Sequence, residues 1–178
     1  MHCVSCALEK PHKIDFICYF QNLTVILGMA NRFTSIKLHV VFAFKKHESY
    51  IPEENLPWLF AYLAKSINAR GHHAIEVGGR PDHVHILFDY VPTEPLSELI
   101  RILKVASNRY IDETRLSPSV VQWQRGYGCF SVSCHDYSKS QNYIKNQKQH
   151  HSKMTVREEL RKMIELAGLS YEEAYLFE

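Results

Sequence analysis

The sequence predicts an α+β domain built on one antiparallel β-sheet. Alternating apolar and polar residues are typical of strands, and apolar residues recurring every three or four positions are typical of helices. The two kinds of segment follow each other in the order β-α-β-β-α-β, separated by proline and glycine, and two further helical segments come after them. This order predicts a ferredoxin-like (RRM-like) fold with helices on one face of the sheet, plus C-terminal helices. We expect the other face of the sheet to be free.

The first strand is expected to begin near Ile36. From there apolar residues alternate with polar ones, which gives the strand one face for a protein core. The apolar positions are Ile36, Leu38, Val40, Phe42 and Phe44. Lys37, His39 and Lys45 lie on the opposite face, where we expect His39 to be a structural histidine and not a ligand.

A helix and a pair of strands follow. Pro52 and Pro57 mark the start of the helix, because proline is tolerated in a first helical turn. Its apolar stripe is Leu59, Leu63 and Ile67. Gly71 ends the helix, "HAIEVGG" is the second strand, "RPD" forms a turn, and the third strand runs from His83 to Tyr90.

The second half of the chain alternates in the same way. Pro92 and Pro95 open a second helix, and "VVQW" and "YGCFSVS" are extended segments on either side of a glycine turn. A third helix is expected from about Ser138 to His151. Thr155 and Glu158 have the spacing of a capping box and predict the start of a last helix, which Gly168 ends.

The composition fits one globular domain. Of the 178 residues, 46% are hydrophobic and 22% are charged, which is ordinary for such a domain. The net charge of +2 does not by itself require a polyanionic partner. No apolar run reaches the roughly 18–20 residues of a membrane span. Since no second pair follows Cys3 and Cys6 at the spacing of a zinc site, we expect free thiols and a cytoplasmic location.

Residues 1–30 look unlike the rest of the chain. They hold three of the five cysteines and show neither a helical nor a strand period. Met29 opens a segment that leads directly into the first strand, so it is a candidate natural start. We therefore expect residues 1–30 to be an extension that is poorly ordered or not native, and residues 31–178 to form the domain.

Two histidines interrupt the apolar third strand, in "PDHVHILFDY". Because successive side chains of a strand alternate between its faces, His83 and His85 point the same way and lie about 6.6 Å apart along the backbone. Val84, Ile86 and Phe88 then face the core. The pair is either two polar residues on a solvated face or two ligands of one metal ion.

A tyrosine and a glutamine share one face of the third helix. Tyr143 and Gln147 are four residues apart, while Ile144 turns toward the body of the protein. A tyrosine among lysines is either amphipathic surface or a nucleophile. As a nucleophile it would attack a phosphodiester to form a phosphotyrosine ester, from which the strand can be rejoined without ATP. A metal on His83, His85 and the Gln147 carbonyl would orient that phosphate.

These motifs resemble a known family. "DHVHILF" resembles the His-hydrophobe-His motif of the HUH endonuclease superfamily. "WQRGYGCFSVS" followed by "YIKNQKQHH" resembles the single-tyrosine transposases of small bacterial and archaeal insertion sequences, the IS200-like family. The likeness runs from about Phe33 to Phe177.

The resemblance implies a DNA transposase. It assigns Tyr143 as the catalytic nucleophile and His83, His85 and Gln147 as ligands of a divalent metal, Mg²⁺ or Mn²⁺. It implies cleavage of single-stranded DNA at hairpin-containing ends, through a 5′-phosphotyrosine and a free 3′-hydroxyl. It also implies a homodimer in which the tyrosine helix of one subunit can complete the active site of the other.

DNA contacts and two alternative functions stay open at this point. Basic side chains that can follow a phosphate backbone are Arg101, Lys104, Lys145 and Lys148. The first alternative is a single-stranded nucleic-acid-binding module without catalysis, which would present aromatic residues on its strands. The second is a metal-dependent phosphodiesterase that uses water, which leaves Tyr143 without a role.

Overall fold

The computed structural model describes residues 33–45, 49–147 and 155–173. From Ser35 onward these residues belong to one compact unit. The expectations for residues 1–30, for Lys148 and for the end of the third helix at His151 fall outside the described residues. The boundary between an extension and the domain stays a prediction.

The sheet has four strands, all paired antiparallel. They are β1 (Lys37–Ala43), β2 (His73–Arg80), β3 (His83–Asp89) and β4 (Gly128–Val132). Their order across the sheet is β2-β3-β1-β4, so β3 and β1 lie in the middle. This is the strand order of a ferredoxin-like fold, and it confirms the predicted fold class.

Four α-helices accompany the sheet within the described residues. They are α1 (Leu56–Ala69), α2 (Leu96–Thr114), α3 (Tyr137–Lys145) and α4 (Val156–Leu166), with a short 3-10 helix at Glu53–Asn55 before α1. Pro95 precedes the first residue of α2, as expected. The capping box of Thr155 and Glu158 is present at the start of α4. Among the described residues, no helix combines the length and the apolar character needed to cross a membrane.

The hydrophobic core lies between one face of the sheet and helices α1 and α2. Val84, Ile86 and Phe88 of β3 are at most 1% exposed and belong to this core. The predicted apolar positions of the first strand and of α1 also contribute, namely Leu38, Val40, Phe42, Phe44, Leu59, Leu63 and Ile67. The occurrence of apolar residues at every second position therefore predicted the core face of both central strands, β1 and β3, correctly.

The expectation that the other face would be free is wrong. Helix α3 packs against β2 and β3 there. A Cβ on Gly78 of β2 would lie 2.7 Å from the carbonyl oxygen of Ile144. Because glycine has no Cβ, α3 can pack this closely against β2. A Cβ on Gly128 of β4 would likewise lie 2.9 Å from Leu160 of α4. The two helices cover this face because their own apolar residues, Ile144 and Leu160, have to be buried.

Candidate functional site

His83 and His85 lie side by side on the covered face of β3. His85 is paired across the sheet with Val41 of β1 and with Gly78 of β2. The two imidazole rings are 5.0 Å apart between centroids and meet edge to face. Both residues are at most 1% exposed. That burial argues against the interpretation of the pair as ordinary residues on a solvated face.

A carboxylate from α4 faces both histidines. Glu159 Oε1 is 3.3 Å from His85 Nε2, and Glu159 Oε2 is 3.5 Å from His83 Nε2. One potential ligand atom from each of these three residues lies within 4.8 Å of the others. Glu159 is 3% exposed, so its carboxyl group lies inside the protein.

Tyr143 and Gln147 reach the same carboxylate from α3. The Tyr143 hydroxyl donates a hydrogen bond to Glu159 Oε1, and Gln147 Nε2 donates another at 3.0 Å. The Tyr143 ring centroid is 6.0 Å from that of His85. The structure therefore brings together, within one chain, the four residues predicted from the sequence as the nucleophile and the metal ligands, namely Tyr143, His83, His85 and Gln147.

The phenol of Tyr143 is held in its protonated form. Burial raises the pKa of Tyr143 above its ordinary value, and the hydrogen bond to Glu159 and the charge of that carboxylate raise it further. A phenolate is a stronger nucleophile than a phenol, so this environment lowers the reactivity of the Tyr143 oxygen, and a positive charge placed nearby would raise it.

The Nδ1 atoms of the two histidines contact different groups. His83 Nδ1 is 2.7 Å from Asp82 Oδ1, an arrangement in which the ring donates to a carboxylate. His85 Nδ1 is instead 2.9 Å from Nε2 of His39 on β1. Burial and then the nearby His85 lower the pKa of His39 to about 3, against the opposing influence of Glu159. His39 is therefore neutral and can accept a hydrogen bond from His85 Nδ1, which places the lone pair of the His85 ring on Nε2, the atom that faces Glu159.

The donor atoms at this site suit a divalent metal. Two imidazole nitrogens, one carboxylate and one amide oxygen are ligands that Mn²⁺ accepts, and oxygen ligands also suit Mg²⁺. Gln147 Oε1 is buried and has no hydrogen-bond partner among the described residues. A metal ligand role would satisfy this oxygen. His83, His85, Gln147 and Glu159 are thus the residues that fit a metal.

Comparison with known proteins identifies the family. The profile of the transposase IS200-like family matches residues 32–147, well over half of the chain. The chain belongs to the IS200-like transposase family. Among curated proteins, none matches it significantly.

Two solved structures are similar to this IS200-like transposase. One is a crystal structure of a Deinococcus radiodurans R1 protein assigned as a transposase, with 24% identity, a TM-score of 0.53, and coverage of 66% of this chain and 95% of that one. The other is a REP-associated tyrosine transposase bound to a REP hairpin, with 14% identity, a TM-score of 0.52, and coverage of 68% and 73%. At these identities the likeness supports the fold.

Glu159 lies at this site of the transposase but was not predicted from the sequence. It lies beyond the end of the family match at residue 147. A signal was nevertheless present, because Val156, Glu159 and Leu160 share one face of α4 and all three are buried. A glutamate on the apolar face of an amphipathic helix has to meet a polar partner, and helical spacing alone points to it.

The basic residues predicted to contact DNA differ in their exposure to solvent. Lys104, one of these residues, is buried at 9% exposure. Its Nζ donates to the carbonyl oxygens of Gln124 at 2.9 Å and Gly126 at 2.6 Å, because the long side chain reaches a neighbouring loop. Burial lowers the pKa of Lys104 to about 8. Its position favours a role in holding that loop.

The remaining candidates for DNA contact lie at the surface or outside the described residues. Arg101 is exposed and pairs with Glu98 at 2.6 Å. Lys145 is half exposed and lies 3.4 Å from Glu76. Both pairs are solvent-accessible, so a phosphate can compete for the cation at little cost. Contact between DNA and Arg101, Lys145 or Lys148 stays a prediction.

Proposed function

We propose that this IS200-like transposase cleaves and rejoins single-stranded DNA through a covalent bond to Tyr143. The observation that carries the proposal is the position of the Tyr143 hydroxyl beside two buried histidines on the covered face of the sheet. That grouping combines a nucleophile with nitrogen and oxygen ligands, which is what metal-dependent phosphoryl transfer requires.

The reaction is a pair of transesterifications. The Tyr143 oxygen attacks the scissile phosphorus, the bond to the 3′-oxygen breaks, and the leaving oxygen takes up a proton to become a 3′-hydroxyl. The phenol loses its own proton in the same step, so no proton is consumed overall. The product is a 5′-phosphotyrosine, and attack on it by a 3′-hydroxyl restores the phenol and joins the strands without ATP.

His83, His85 and Gln147 would hold a divalent cation, Mg²⁺ or Mn²⁺. Bound there, the cation would offset the negative charge of the scissile phosphate and orient it toward Tyr143. Other parts of the chain position the reacting groups in two ways. Asp82 and His39 fix the orientation of the two imidazoles, and α3 holds Tyr143 at a set distance from them.

The DNA partner is proposed to be single-stranded DNA with hairpin ends. The similar REP-associated tyrosine transposase is bound to a REP hairpin, which supports a hairpin substrate here. Exposed Arg101 and Lys145, together with Lys148, are proposed to contact its backbone. We also propose a homodimer, in which the α3 of one subunit can serve the histidines of its partner.

One assay separates this function from its alternatives. The full chain is incubated with labelled single-stranded hairpin DNA and Mn²⁺, and the products are run on a denaturing gel. We expect a covalent protein–DNA band that is absent in Tyr143→Phe. Cleavage that persists in Tyr143→Phe would favour a phosphodiesterase that uses water. Binding without any cleavage would favour a nucleic-acid-binding module.

A further inference from the structure

Glu159 occupies the centre of the site without a role in the function proposed above. Its carboxylate faces two histidines of β3 and the Tyr143 and Gln147 side chains of α3. A buried carboxylate is costly to desolvate unless a positive charge or several donors compensate it. The position of this one, on the inner face of α4, places its oxygens among hydrogen-bond donors and potential metal ligands.

We propose that Glu159 is an anionic ligand of the divalent metal, supplied by α4 to the ion that His83, His85 and Gln147 hold. The inference rests on the proposed metal site and extends it by a residue that lies outside the family match. Under this proposal, helix α4 is part of the metal centre.

The distances support this arrangement. Two ligands on neighbouring positions of one ion, each bonded at about 2.0–2.2 Å, lie roughly 3.0–3.5 Å apart. The two distances from Glu159 oxygens to histidine Nε2 atoms are 3.3 and 3.5 Å. The carboxylate therefore already has, to each imidazole, the spacing of neighbouring ligands on one ion, and all three ligand atoms lie within 4.8 Å of one another.

The charge balance supports it as well. Two neutral imidazoles and an amide carry no negative charge, whereas Mg²⁺ and Mn²⁺ bind most readily where carboxylate oxygens are present. Glu159 supplies the missing anion. Because the Tyr143 hydroxyl bonds to the same carboxylate, the nucleophile is then positioned by a ligand of the ion that orients its target.

The alternative is an ion pair, in which the carboxylate neutralises protonated histidines and competes with the metal. The two arrangements predict opposite changes when the charge of Glu159 is removed. If Glu159 is a ligand, Glu159→Gln weakens metal binding. If it is a competitor, the same substitution leaves the affinity unchanged or increases it.

Isothermal titration of the full chain with Mn²⁺ tests the inference. We expect Glu159→Gln to weaken Mn²⁺ binding at least tenfold. Glu165→Gln is the matched control, because it removes the same charge from an exposed position of the same helix, and it should bind as the wild type does. Unchanged or tighter binding by Glu159→Gln would overturn the inference.

His85→Ala distinguishes a failure of this inference from a failure of the proposed function. If wild type binds Mn²⁺ and His85→Ala does not, the proposed metal site stands and Glu159→Gln alone decides about Glu159. If wild type does not bind Mn²⁺, or His85→Ala binds it equally well, the proposed metal site and the inference fall together.

Hydrogen exchange gives a second measurement that does not depend on activity. Addition of Mn²⁺ should slow amide exchange in α4 of wild type and of Glu165→Gln, since the ion would fasten this helix to β3, but not in Glu159→Gln. Should Glu159→Gln fold poorly, Glu159→Asp serves instead, because it keeps the charge and withdraws the oxygens by one methylene. Equal protection of α4 in wild type and in the folded variant would contradict the inference.

Discussion

The two faces of strand β3 are equally buried but differ in what their side chains do. Val84, Ile86 and Phe88 pack among apolar residues under α1 and α2. His83 and His85, which alternate with them, meet polar groups from β1 and α4, and His85 also meets the Tyr143 ring of α3. Burial alone therefore does not separate a core from a site. The distinction lies in whether the neighbours are non-directional apolar contacts or atoms placed for particular bonds.

This contrast predicts that substitutions on the two faces have separable effects. Loss of a core side chain should lower the free energy of unfolding and leave the chemistry of the folded fraction intact. Loss of a site side chain should remove the chemistry with a smaller effect on folding.

The largest effect is expected for His85→Ala. If His85 holds the metal as proposed, its removal should deprive the scissile phosphate of several kcal/mol of stabilisation, which corresponds to a loss of cleavage of about a thousandfold or more. Single-turnover cleavage of hairpin DNA measures this loss, and a gel-shift assay should show hairpin binding largely intact. Equal loss of binding and cleavage would mean that His85 supports the fold or the DNA contact.

Ile86→Ala tests the opposite face of the same strand. Ile86 is fully buried in the core, so its truncation should destabilise the protein by about 2–5 kcal/mol. Urea unfolding followed by circular dichroism measures this. Under conditions where the variant is folded, it should cleave hairpin DNA as wild type does. A variant that is stable but inactive would show that the two faces are not separable.

His39 tests whether the support behind His85 matters to the site. His39→Leu removes the acceptor for His85 Nδ1 and should weaken Mn²⁺ binding by about 10–100-fold. His39→Gln keeps an acceptor oxygen and should restore most of that affinity. Both can be measured by isothermal titration. If the two variants bind Mn²⁺ equally, His39 contributes packing and not orientation.

The smallest effect is expected at the start of α4. The Thr155 side chain accepts a hydrogen bond from the backbone amide of Glu158, and Thr155→Ala should cost about 1 kcal/mol in helix stability. Hydrogen exchange in α4 should increase while exchange in the core strands stays the same. An increase that spreads to β3 would indicate that α4 and the core unfold as one unit.

Local patterns in the sequence predicted much of the fold and part of the site. The period of two assigned both faces of β1 and β3, and the four-residue spacing put Tyr143 and Gln147 on one face of a helix. Such patterns report which residues share a face. They do not report what covers that face, which is why the covered site face was expected to be free.

The contacts that the sequence did not predict all join elements far apart in the chain. Glu159 meets His85 only because α4 packs over the sheet, and His39 meets His85 only through the pairing of β1 with β3. The burial of Lys104 has a related cause. Its side chain is long enough to reach carbonyl groups of a loop that is 20 residues away in the chain, and helical spacing does not report such a contact.

The most direct test of the central claim is to identify the residue that becomes attached to DNA. Hairpin DNA is incubated with the full chain and Mn²⁺, the adduct is digested with trypsin and nuclease, and the peptides are analysed by mass spectrometry. The tryptic peptide from Ser140 to Lys145 contains a single tyrosine, Tyr143, so the assignment is unambiguous. We predict a nucleotide attached to this peptide through its 5′-phosphate. An adduct on another peptide, or cleavage that proceeds without any adduct, would contradict the account.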